Sequence, residues 1–146
     1  MKNTSARISE FGSVLMNCTI VLLFSIFLIS YFTPLKDVSS NLKIVWMSPG
    51  KGFKVARLIP NIDLTPQFVF NIKQIFLYVV AKSNGKEEMV WSKIVKNGDK
   101  CKFFDLVQTT YNFEPNSNEK IEFEIRGSIF PYTGQLLDVF YGKATY

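Results

Sequence analysis

Twenty-five consecutive residues without a charge, FGSVLMNCTIVLLFSIFLISYFTPL from Phe11 to Leu35, limit this chain more than any other feature. As a helix, residues 12 to 32 alone span about 30 Å, the thickness of a bilayer's hydrocarbon core. Pro34 stands where such a helix should stop. A cleaved signal peptide has a shorter apolar region, about 7–15 residues, followed by small residues of the A-x-A type. Here the run is longer, and no alanine falls between Ala6 and Ala56. The segment therefore reads as an uncleaved anchor. Residues 1–10 form a short tail before it, 11–33 the transmembrane anchor and 34–146 one domain of ordinary size.

Charge does not fix the orientation. Lys2 and Arg7 precede the segment with Glu10 offsetting one of them, and Lys36, Lys43 and Lys51 follow it, so the positive-inside count is nearly a tie. Within the segment, Ser13, Asn17, Val21 and Ser25 recur every fourth residue on one helical face. Polar groups in a membrane helix can bond to a neighbouring helix, and an unpaired amide in hydrocarbon is costly. Ser13 and Asn17 are thus candidate contacts to another membrane helix. The plainer reading is that serine is tolerated in lipid and the spacing is chance.

The remainder alternates as strands do. In EKIEFEIRGSIF, Glu119 to Phe130, the residues Ile121, Phe123 and Ile125 alternate with Glu122, Glu124 and Arg126, which predicts one buried face and one in water. Gly127 marks a bulge or a close backbone approach. Further strands are predicted over Leu42–Met47, Phe53–Leu58, Gln74–Lys82, Met89–Val95 and Leu137–Thr145. Turns are read at Ser83-Asn84-Gly85-Lys86, where Asn-Gly suits a tight hairpin, at Pro49-Gly50-Lys51-Gly52, at Asn97-Gly98-Asp99, at Pro115-Asn116-Ser117-Asn118 and at Pro131-Tyr132-Thr133-Gly134. Phe103–Thr110 reads equally as a short helix or an irregular link. The fold class is all-β, a small antiparallel β-sandwich after one N-terminal helix.

One strand departs from alternation. Ile75 to Ala81 is seven apolar residues in a row. Ile75, Leu77, Val79 and Ala81 point one way and suit the core; Phe76, Tyr78 and Val80 point the other. Two aromatics on a second face suit a contact with a partner protein, or cover by another segment of the chain such as Phe103–Thr110.

Chemistry is sparse. The chain has no histidine, which removes the commonest general base and nitrogen ligand. Its two cysteines, Cys18 and Cys101, cannot make a thiolate metal site, and Cys18 lies in the apolar segment. Cys101 is left as an unpaired thiol, reactive or buried as a small hydrophobe. Ser92 and Lys93 are adjacent on a strand and so point to opposite faces, unlike a catalytic dyad. Glu122 and Glu124 share a face, as acid–base catalysis needs but as any solvated strand also shows. Pro49-Gly50-Lys51-Gly52 lacks phosphate-loop spacing. The net charge of +5 is scattered, which gives no nucleic-acid footprint. No catalytic, cofactor or metal residue is assigned.

Two stretches carry a resemblance. Asp63-Leu64, Phe68 and Asn71-Ile72-Lys73-Gln74-Ile75-Phe76-Leu77-Tyr78 form the first. Trp91-Ser92-Lys93-Ile94-Val95-Lys96-Asn97-Gly98-Asp99, a W-x-K-I-V-x-x-G-D pattern, forms the second. With Tyr111, the alternating strand and Pro131-x-x-Gly134 in order after them, the chain resembles the signal peptidase complex subunit 3 family over residues 8 to about 140. The resemblance implies a single-pass type II protein of the endoplasmic reticulum membrane with its C-terminal domain in the lumen. It implies a non-catalytic accessory subunit that supports a separate catalytic serine-protease subunit, beside other small membrane subunits, in removing signal peptides. Members often carry a luminal N-x-S/T glycosylation site; here Asn3-Thr4-Ser5 and Asn17-Cys18-Thr19 fit the pattern, one in the tail and one in the membrane segment. The other reading is a single-pass adaptor or receptor whose β-sandwich binds another protein.

Overall fold

The computed structural model describes residues 3–49, 52–83, 85–114 and 120–146. The chain divides into two compact units, residues 1–34 and 35–146.

The first unit is one helix, α1, Thr4–Phe32. Its 29 residues rise about 43 Å, so helical structure starts seven residues before the charge-free run. Every described side chain of α1 is at least partly exposed, and the helix is long and apolar enough to cross a membrane. It stops where Pro34 withholds an N–H, and the Thr33 N–H closes the last turn on the Ile29 carbonyl at 3.0 Å. The Thr19 and Ser25 hydroxyls donate back to the carbonyls of Leu15 and Val21, at 2.9 and 2.8 Å. Their own helix therefore satisfies them.

Among the described residues the second unit has nine strands: β1 Lys43–Met47, β2 Ala56–Ile59, β3 Ile62–Asp63, β4 Ile72–Ser83, β5 Lys86–Lys96, β6 Lys102–Phe103, β7 Val107–Gln108, β8 Glu122–Pro131 and β9 Leu137–Thr145. All pairings are antiparallel. A four-stranded sheet runs in the order β5-β4-β8-β9, a three-stranded sheet in the order β1-β2-β7, and β3 pairs with β6. One apolar core joins them. Ile75, Leu77, Val79, Phe123, Ile125 and Ile129 of the large sheet pack in one cluster with Ala56 and Leu58 of the smaller one and with Leu42 just before β1. The all-β sandwich after one N-terminal helix is thus the architecture found.

Phe103–Thr110 is neither helix nor irregular link. It contributes β6 and β7, with Phe103 held edge-on against Trp91 at 6.2 Å between ring centroids. Because Trp91 pairs with Val79 on the core side of the sheet, this segment lies on the core and leaves the Phe76 face alone. The predicted Phe53–Leu58 strand forms later, from Ala56 to Ile59; Lys54 makes only an isolated bridge to Phe113. The β4–β5 hairpin pairs up to Ser83↔Lys86, with Gly85 at φ +77° as a tight turn requires. Gly50, Lys51, Asn84 and 115–119 lie outside the described residues, and with them parts of two predicted turns, the whole of the predicted Pro115-Asn116-Ser117-Asn118 turn and the start of the Glu119–Phe130 strand.

Gly127 is a close approach. A Cβ there would stand 2.6 Å from Cε2 of Tyr141. Tyr141 is the extra residue of a β9 bulge opposite Ile125 and Arg126, and the bulge turns its ring over Gly127. Its hydroxyl donates to Gln67 Oε1 at 2.6 Å, inside the protein. Burial pushes the Tyr141 phenol up to about 12, although the Gln67 hydrogen bond pulls the other way.

Candidate docking surface

Alternation puts Phe76, Tyr78 and Val80 on the face of the large sheet opposite the core. The core side of β4 is closed: Ile75, Leu77 and Val79 are fully buried and Ala81 nearly so. On the other side, register builds rows across the strands. Ile94, Phe76 and Ser128 form one row; Ser92, Tyr78, Arg126 and Phe140 the next; Met89, Val80, Glu124 and Lys143 a third. The Phe76 and Tyr78 rings stack at 5.4 Å between centroids and 25° between planes. Beside them Ile94, Met89 and Phe140 are 51%, 43% and 54% exposed. The face is therefore an apolar stripe that runs from β5 onto β4, with half-buried aromatics at its centre.

Val80 differs from its two companions: it is buried, 6% exposed. Its neighbours in register are Met89 and Glu124, long side chains that cover a small one. Contact with a partner through this face would fall mainly on Phe76 and Tyr78. Sequence reasoning missed Ile94, Met89 and Phe140. Each sits beside other apolar residues in a strand without clean alternation, so only pairing with β4 or β8 shows that it joins the stripe.

The lower border of the stripe is ionic. Lys82 reaches Glu87 and Glu124, each at 2.9 Å. Arg126 forks onto Glu124 and meets Glu87 at 3.5 Å. The prediction of a solvated Glu122–Glu124–Arg126 face needs correction: Glu124 is buried and the other two are half-buried. The reason is that β8 is an inner strand, so long side chains from β4 and β5 fold over it. Burial alone would raise the Glu124 carboxyl; hydrogen bonds from Lys82 and Arg126 outweigh it and hold the group below its ordinary value.

None of the candidate nucleophiles has a catalytic setting. Ser92 faces Tyr78 on the outer side while Lys93 faces Leu77 on the core side. Burial and the nearby carboxylates of Asp63 and Asp99 push the Cys101 thiol up, and it donates to the Asp99 carbonyl at 3.2 Å. That is the reverse of an activated thiol. Among the described residues no three His, Cys, Asp or Glu side chains gather as a metal site. In α1, Ser13 and Asn17 are exposed, and their side chains make no hydrogen bond among the described residues.

Three polar residues of the two motif stretches, Asp63, Asn71 and Asp99, hold turns. Asp63 Oδ1 accepts the Thr65 N–H at 2.9 Å and so opens the 3₁₀ turn Thr65–Gln67. Asn71 ties the Pro131–Gly134 turn to the start of β4, its amide donating to the Thr133 carbonyl at 2.7 Å. Asp99 accepts the Lys96 N–H at 3.0 Å around Gly98, which sits at φ +95°.

Comparison with known proteins agrees on one family. The profile described as signal peptidase subunit matches residues 1–145. The chain is also similar to signal peptidase complex subunit 3 of Saccharomyces cerevisiae, 31% identical over 88 residues. That match covers 52% of this chain and 47% of the yeast protein, so the chain spans about half the length of the curated relative it matches.

Proposed function

Because this chain belongs to the signal peptidase subunit family, we propose that it is a non-catalytic accessory subunit of the signal peptidase complex in the endoplasmic reticulum membrane. Residues 1–10 form the cytosolic tail, 11–33 the anchor and 34–146 the luminal domain. The domain supports the catalytic serine-protease subunit during removal of signal peptides. Ser13 and Asn17 face a helix of another membrane subunit.

The observation that carries this reading is the apolar stripe around Phe76 and Tyr78. It has no catalytic group, and it lies on a sheet whose other face already serves the protein's own core. Aromatic anchors of this kind dominate the energetics of protein interfaces. We place the catalytic subunit on this stripe. Burying one such side chain is worth about 1.5–3 kcal/mol, so a charge there weakens assembly by a readable amount.

The test is Tyr78→Lys in the full-length chain, with folding and co-purification of the catalytic subunit scored separately. A folded chain that no longer assembles supports the reading; a folded chain that assembles normally refutes it. Protease added to sealed microsomes checks the topology, since only the tail should be trimmed. Digestion of residues 36–146 without detergent would reverse the orientation.

A further inference from the structure

The free edge of β5 is met by other parts of the chain at two points, with an opening between them. At one end, the N–H groups of Thr110 and Tyr111 donate to the Val90 carbonyl at 2.9 and 3.1 Å. At the other end, Asp99 closes both main-chain groups of Lys96, its carboxylate accepting the N–H and its own N–H meeting the carbonyl, each at 3.0 Å. Main-chain groups of a strand point alternately to its two sides. Val90 and Lys96 turn toward the free edge, so Ser92 and Ile94 between them do as well. Among the described residues nothing meets the N–H and C=O groups of Ser92 and Ile94 there. The opening from Val90 to Lys96 is roughly 20 Å long.

Directly under the opening lies a groove of about 420 Å³. Val95, Phe103 and Val107 give it apolar walls, and Lys93, Lys100 and Asp105 line it too. Lys100 is neutralised by Asp105 at 2.6 Å. Lys93 makes no ion pair among the described residues and is exposed. The second wall comes from β7, which is itself the edge of the three-stranded sheet. Two sheet edges thus flank one apolar groove whose lining charges balance once Asp99 is counted, and Lys93 is the lining cation that makes no ion pair among the described residues.

We propose that this opening accepts an extended polypeptide segment as an added antiparallel strand on β5, with an apolar residue opposite Val95 and an acidic residue opposite Lys93. The backbone of Ser92 and Ile94 supplies four main-chain hydrogen-bonding groups, which is what strand addition uses for affinity. Lys93 and Val95 point into the groove and set the side-chain pattern. Antiparallel pairing continues the order of the sheet and fixes the segment as apolar-x-acidic, read from its N-terminus. A second copy of the chain is disfavoured, because antiparallel self-pairing centred on the opening puts Lys93 opposite Lys93. Ser92 and Ile94 turn their side chains to the stripe, but the added strand meets their main-chain groups at the edge, and the inference does not rest on docking of the stripe.

The test measures amide hydrogen exchange of the full-length chain in detergent micelles with the capped peptide acetyl-TVTET-amide at millimolar concentration. The Ser92 and Ile94 amides should slow roughly tenfold, equivalent to about 1.4 kcal/mol of protection, while Lys93 and Val95 stay as they were. The same peptide N-methylated at the threonines after valine and after glutamate should give no protection. Lys93→Glu should transfer the preference to acetyl-TVTKT-amide. Equal protection by the methylated peptide means that the groove takes side chains without a strand and overturns the proposal. So does protection that rises with protein concentration in the absence of peptide, which makes the occupant a second copy, and so does no protection at all.

Discussion

The two faces of β4 are made from the same kind of residue and end in different conditions. Ile75, Leu77 and Val79 lose all their solvent contact. Phe76 and Tyr78, one position away along the same backbone, remain half exposed and stack on each other. The core face is closed by a second sheet. Among the described residues the outer face is closed only at its lower border, by the side chains of Lys82, Glu87, Glu124 and Arg126. Hydrophobicity marks a residue for contact; whether that contact lies within the chain is decided by what the topology brings to it.

The largest way to break this contrast is Leu77→Ala. It opens a cavity at a fully buried site, and urea unfolding of the full-length chain in detergent should show a loss of about 2–5 kcal/mol. A loss below 1 kcal/mol would mean that the core face is not closed. Gly127→Ala comes next. Its methyl group meets the Tyr141 ring at 2.6 Å, and overpacking of this sort costs about 1–3 kcal/mol. Unchanged stability in the same assay would show that the ring moves aside freely.

A pH titration probes the outer border. The Glu124 carboxyl is held below its ordinary value of 4.5 in the folded protein. Its contribution is therefore complete above that value, where both states are ionised. It is lost as pH falls from there through the depressed folded value, because the unfolded chain takes up the proton first. Thermal unfolding between pH 6 and 2 should steepen in the acid range for the wild type, and less so for Glu124→Gln. Parallel profiles would remove Glu124 from the network.

The smallest effect on folding belongs to the stripe. Ile94→Ser should change the stability of the unassembled chain by no more than about 0.5 kcal/mol, as exposed positions do. The same substitution should weaken co-purification of the catalytic subunit. Loss of folding would place Ile94 in the protein's own core instead and erase the difference between the two faces.

Much of this architecture was legible without coordinates. The charge-free run set α1, and Pro34 set its end. Alternation over Ile121–Ile125 marked β8, and β9 was read with its observed limits, Leu137–Thr145. The seven-residue apolar run correctly signalled a strand with two apolar faces. Illegible were β3, β6 and β7, two-residue strands that exist only because distant segments meet them; no period can be read from two residues. The burial of Val80 and Glu124 was equally hidden, since each is covered by neighbours on other strands.

The sequence by itself determined the long helix and the long strands, which residues seek an apolar environment and that histidine chemistry is absent, because these follow from composition and local periodicity. Only the tertiary structure decided that Ile94 and Met89 join Phe76, that Tyr141 lies over Gly127 and that Ser92 and Ile94 are left open at an edge. Those outcomes depend on register and on bulges between strands far apart in the chain, and a single residue of slip reverses the face of every side chain that follows.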